Sequence, residues 1–163
     1  MPTAITAADQ DAIVSEIEIA APPGRVFQAL TDSAQLKRWF GSSECLPKSW
    51  KMDARLGGRY GYTTEKDMVS VNDVSEFECH GEIIEFDPPR VLAYTWMGNW
   101  HDDITHRTVV RWELTPTSNG TRVKVIHSGL LQEPASRKDY SNGWPGVLES
   151  LKKFTEARLQ SSV

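Results

Sequence analysis

Few side chains in this sequence could do chemistry. His127 ends the alternating run Val123, Val125, His127, which puts it on the apolar face of a strand. An imidazole there titrates near neutrality and could move a proton in a buried site. No acid in the sequence is clearly placed to orient its ring, so a buried, hydrogen-bonded histidine is the favoured account. His127 is the one catalytic candidate. His101-Asp102-Asp103 with His106 offers imidazole and carboxylate, the ligand types of a divalent ion. Its spacing matches no ligand motif, so a solvated loop is expected, with no metal and no cofactor. His80 shares a face with Glu76, Glu78 and Glu82 and belongs on the outer surface. Cys79 should point inward as a small hydrophobe, and Cys45 lies in an irregular segment. Neither has an adjacent histidine to activate it, and reduced thiols are expected. Arg59 reads as an exposed strand arginine, and Lys152 and Lys153 as the solvated face of a helix.

The aromatic side chains carry more information. There are six tryptophans in 163 residues. Tyr60, Tyr62, Tyr94, Trp96, Trp112 and Trp144 all fall on faces that should point inward. Phenol and indole rings bring polar atoms that a Leu, Ile or Phe core does not. That combination favours an aromatic-walled cavity over a packed core, because small-molecule sites are mostly apolar with a few polar groups. Phe77, Val110, Val125 and His127 join the wall from the strands. Trp39 and Phe40 close one end from a short helix, and Leu148 and Leu151 line it from the last helix. Trp50 and Trp100 fall in segments expected to be exposed loops, which would suit rim or interface residues and leaves a homodimer open.

Lys plus Arg number 18 and Asp plus Glu 22, for a net charge of -4. A mildly acidic chain lacks the basic face that nucleic acid requires. No stretch approaches ~18 consecutive apolar residues, so no membrane partner is expected. The first ten residues have no basic start and no apolar run, unlike a signal peptide, and a cytoplasmic location is expected. No P-loop, GxGxxG or GxSxG motif occurs, and no internal repeat. The length suits one domain, residues 12–160, after a flexible tail of residues 1–11.

The elements that must position these residues are legible from periodicity. Ile13, Ser15, Ile17 and Ile19 alternate with Glu16 and Glu18 as a half-buried strand. Pro22-Pro23 opens a helix with Val26, Phe27 and Leu30 on one side. Asp32 can cap a second short helix carrying Leu36, Trp39 and Phe40. After an irregular segment over residues 41–54, alternation returns at 57–64, 76–86, 91–97, 107–114 and 121–127, with Ser118-Asn119-Gly120 as a hairpin turn. Residues 129–140 read as a polar loop. From Ser141 or Asn142 the period becomes 3.6, giving a helix of roughly 18 residues and about 27 Å. The fold class is therefore α+β: a curved antiparallel sheet of six to seven strands wrapped around a long C-terminal helix.

Four stretches together carry a resemblance. They are Ala21-Pro22-Pro23 through Val26-Phe27-Gln28-Ala29-Leu30-Thr31 to Trp39-Phe40, Gly57-Gly58-Arg59-Tyr60, Gly81-Glu82-Ile83 through Asp87-Pro88-Pro89-Arg90-Val91-Leu92 to Thr95-Trp96, and Gly120-Thr121-Arg122-Val123 through His127-Ser128-Gly129 to Gly143-Trp144. In order and spacing the chain resembles the SRPBCC, or START-like, helix-grip superfamily. Within it, the chain is most similar to homologues of the heat-shock-protein ATPase activator C-terminal domain. The resemblance implies a helix-grip fold with an internal cavity, and a small hydrophobic or aromatic molecule as partner. It does not imply one reaction, since the superfamily holds lipid and hormone carriers, aromatic polyketide cyclases and stress-associated proteins. A non-enzymatic or weakly enzymatic ligand-binding module is the leading expectation. A cyclase- or dehydratase-like enzyme using the same cavity, and a stress-related protein contacting a chaperone, are the alternatives.

Overall fold

The alternation of Ile13, Ser15, Ile17 and Ile19 produces strand β2 (Ile13–Ile19), with those four side chains buried and the intervening ones partly or fully exposed. The computed structural model describes residues 5–8, 11–40, 47–71, 74–101, 107–131 and 133–161. Ahead of β2, within the segment expected as a tail, Ile5–Ala8 forms β1, antiparallel to β2. After β2 comes helix α1 (Pro23–Thr31), whose first turn carries the proline without losing a needed hydrogen bond. Helix α2 (Ser33–Trp39) follows at once. The Asp32 carboxylate accepts from the backbone N–H of Ala34 at 2.9 Å and of Gln35 at 3.1 Å, the cap its position suggests.

The remaining strands are β3 (Pro47–Met52), β4 (Arg59–Val71), β5 (Val74–Asp87), β6 (Val91–Gly98), β7 (Thr108–Thr117) and β8 (Gly120–Ser128). They form one antiparallel sheet in the order β1-β2-β8-β7-β6-β5-β4-β3. The sheet brings β2 beside β8, pairing Ile13 with His127 and Ile17 with Val123. Helix α3 (Pro134–Ser161) closes the chain and packs against β2 and α1. This is the α+β helix grip expected, with short helices after the first long strand, but the sheet has eight strands instead of six to seven because β1 and β3 extend its two edges.

Two segments depart from the sequence reading. Residues 47–52 form edge strand β3 instead of irregular chain. Pro47 is tolerated at its start, and Trp50 and Met52 alternate with exposed Lys51. Residues 134–140 are helix, not loop, so α3 has 28 residues and begins at a proline. Ser136, Tyr140, Trp144 and Leu148 recur at every fourth position and are all buried. The polar residues between them and the helix-unfriendly Gly143 and Pro145 hide that stripe in the sequence.

Candidate functional site

Sheet register assembles the inner face in rows, because opposite residues of paired strands share a side. Trp50 lies opposite Tyr62, and Tyr62 opposite Cys79. Tyr94, Val110, His127 and Ile13 form a second row across four strands. Leu92, Trp112, Val125 and Ser15 form a third. Helix α3 adds Tyr140, Trp144, Leu148 and Leu151 from above, all buried. Phe40, just past α2, inserts its ring among those of Trp50, Tyr62, Trp96 and Trp144, at centroid distances of 5.2, 5.5, 6.1 and 6.4 Å. Trp144 also meets Trp96 at 5.8 Å and Trp112 at 5.7 Å. The residues expected to line one interior are thus together. Trp39 lies at its α2 end, and half-buried Phe77 meets Trp100 at 5.2 Å.

Two expectations are corrected. Trp50 and Trp100 are not rim residues: they are 5% and 4% exposed. Trp50 stacks on Tyr62 and Tyr60 at 5.1 and 5.7 Å. Trp100 folds back over Gly98, where a Cβ would meet its ring at 2.9 Å. Neither offers an exposed surface for self-association. His101, expected in a solvated loop, is also buried, with Nε2 2.7 Å from the Tyr140 hydroxyl. Asp102, Asp103, His106 and Cys45 lie outside the described residues. Among the described residues no group of three His, Cys, Asp or Glu side chains could hold a metal. Tyr140 and Thr108 were not anticipated as site residues. The four-residue spacing of Tyr140 from Trp144 was the available signal.

Hydrogen bonds divide the interior into two parts. Around α3, β6, β7 and β8 the indoles of Trp96, Trp112 and Trp144 each find a protein acceptor. Trp112 Nε1 donates to the Tyr94 hydroxyl at 2.8 Å, and Trp96 Nε1 to the Tyr140 hydroxyl at 2.9 Å. Trp144 Nε1 donates to His127 Nδ1 at 3.2 Å. An indole N–H can only donate, so Nδ1 carries the lone pair and Nε2 the proton. His127 Nε2 then donates to Thr108 Oγ1 at 2.8 Å, while Thr108 Oγ1 donates to the Trp96 carbonyl at 2.8 Å. Burial, with a smaller contribution from nearby His101, holds His127 well below the usual histidine value. Both ring nitrogens are thus engaged, and among the described residues no acid hydrogen-bonds the ring.

At the β3–β4 end the situation differs. The Tyr60 hydroxyl donates to the Thr95 carbonyl at 2.6 Å, but buried Trp50 Nε1 has no acceptor among the described residues. Burial raises the Tyr60 and Cys79 ionisations well above their ordinary values, which leaves the Cys79 thiol protonated and unreactive. His80 and Arg59 are exposed, as expected. An open cleft of about 310 Å³ at the β2–α1 and β7–β8 turns, bordered by Ala21, Pro22, Pro23 and Pro116, carries no titratable side chain. Among the described residues no helix is long and apolar enough to cross a membrane.

Residues 20–156 match the family model described as activator of Hsp90 ATPase homolog 1-like protein. The chain is also similar to solved structures. A protein from Nitrosomonas europaea is 23% identical, with a TM-score of 0.73 over 94% of this chain and 99% of that one. A protein from Chromobacterium violaceum is 23% identical, with a TM-score of 0.76 over 90% and 98%. An AHSA1-like protein from Aeromonas hydrophila is 19% identical, with a TM-score of 0.69 over 90% and 93%. A comparison with curated proteins gives no match.

Proposed function

The chain belongs to the activator of Hsp90 ATPase homolog 1-like family, and from that premise we propose that it binds a small hydrophobic molecule between its sheet and α3. The observation that carries this reading is the aromatic interior itself. Rings from β3, β4, β6, β7, α3 and the α2 terminus meet in one cluster, several of them bearing a polar atom. A ligand sharing that environment gains from burial at roughly 25 cal/mol per Å², so about 250 Å² of ring surface contributes about 6 kcal/mol. The mutually bonded α3 half forms the floor of the site. The β3–β4–α2 end, where Phe40, Trp50 and half-buried Tyr62 meet, forms its mouth.

Binding, not catalysis, fits the polar groups in this interior. The enzyme reading depends on His127, and that imidazole is a neutral structural link between β7, β8 and α3. Native mass spectrometry of protein purified from its own source tests the proposal. A non-covalent adduct of a few hundred daltons, lost on denaturation, is the expected result. Uniformly unliganded protein that also takes up no apolar ring compound on titration contradicts it.

A further inference from the structure

We propose that Trp50 Nε1 is the donor that orients the ligand, and that the ligand is an uncharged ring compound carrying an acceptor oxygen such as a ketone carbonyl. This rests on the ligand-binding reading above and adds the chemistry of what is bound. Four of the chain's six indoles donate to protein acceptors: Trp39 to the Ala29 carbonyl, Trp96 to Tyr140, Trp112 to Tyr94 and Trp144 to His127. Trp50 is buried too, at 5% exposure, yet its N–H meets no acceptor among the described residues. Leaving such a group unsatisfied costs about 1–3 kcal/mol, and native structures seldom do so without a bound group to meet it.

The surroundings specify that group. A buried water needs two to four polar partners. Phe40 offers none, the Tyr60 hydroxyl is committed to the Thr95 carbonyl, and Tyr62 meets the Trp50 ring face to face. The faces around Trp50 are rings, which suits a flat apolar body. An indole N–H donates only, so the ligand must accept. No lysine or arginine is buried among the described residues, so a carboxylate would enter without a counter-charge. A neutral carbonyl meets these conditions. Strand β3 is the last in the sheet, with partly exposed Met52 and Tyr62 beside Trp50, so the route from solvent is short.

The test compares two near-isosteric probes, 9-fluorenone and fluorene, by calorimetric titration of the full chain. Fluorenone should bind about tenfold tighter, the worth of one good buried hydrogen bond, despite being the less hydrophobic probe. In Trp50→Phe, which keeps a ring and removes the N–H, the preference should fall to within about twofold. In the unaltered protein the Trp50 indole proton resonance should move downfield with fluorenone and less with fluorene, a readout independent of how the variant folds. Equal affinities, or a preference that survives Trp50→Phe, overturn the donor assignment while leaving the ligand-binding reading intact. Binding of neither probe overturns both.

Discussion

Trp144 Nε1 donates to His127 Nδ1, and that bond ties α3 to β8 while fixing the imidazole in its neutral Nε2–H form. Trp144 and His127 come from helix and strand, so the bond measures how firmly the grip is closed. Trp144→Phe keeps most of the ring and leaves His127 Nδ1 buried without a partner. The expected cost is about 1–3 kcal/mol in urea unfolding at pH 7.5. A loss within the noise of the measurement would mean the bond contributes nothing.

His127 also sets a pH dependence. Burial holds its folded-state value well below the ordinary 6.5, so the unfolded chain binds the proton first. The stability this group confers is fully present above about pH 6.5 and is lost below it, by at most about 1.4 kcal/mol per pH unit. Unfolding free energies of the native chain and His127→Leu, measured from pH 7.5 to pH 5, should draw together as pH falls. A constant difference would contradict the neutral buried imidazole.

Phe40 sits at the centre of the ring cluster, against Trp50, Tyr62, Trp96 and Trp144, where the mouth of the proposed site would lie. Phe40→Ala should cost about 3–5 kcal/mol of stability. It should also raise the affinity for flat apolar probes, since the vacated space lies inside the site. Weaker probe binding by a folded Phe40→Ala protein would place the ligand elsewhere.

Gly81 marks a close approach of β5 to β6. A Cβ there would lie 1.9 Å from the Thr95 carbonyl oxygen and 2.7 Å from the Tyr60 ring. That carbonyl also receives the Tyr60 hydroxyl. Gly81→Ala should therefore destabilise the sheet by more than about 3 kcal/mol, the scale of severe overpacking. Gly143→Ala, on open helix surface, should be neutral or mildly stabilising in the same thermal-melt comparison.

The strands were legible where alternation is strict, as in Ile13–Ile19 and Thr108–Leu114, because one buried face imposes a period of two. Edge strand β3 escaped notice, since six residues holding two lysines and a proline show little alternation. Its packing comes from Tyr60 and Tyr62, which are distant in sequence. The start of α3 escaped because its buried stripe there consists of Ser136 and Tyr140, side chains that do not stand out as apolar. The wall residues were legible as inward rings. Which of their polar atoms bond to each other depends on cross-element distances of 2.8–3.2 Å, which no local pattern encodes. That pairing separates the satisfied Trp112 and Trp144 from the open Trp50.

The proposed ligand site lies inside the grip and is entered beside Trp50. A ¹⁵N-correlation spectrum of the labelled chain, recorded with increasing 9-fluorenone, tests it most directly. The indole resonances of Trp50, Trp96 and Trp144 should shift, while that of Trp39, bonded to the Ala29 carbonyl, stays in place. Shifts confined to outer-face residues such as Arg111 and Lys124, or none at saturating probe, would contradict it.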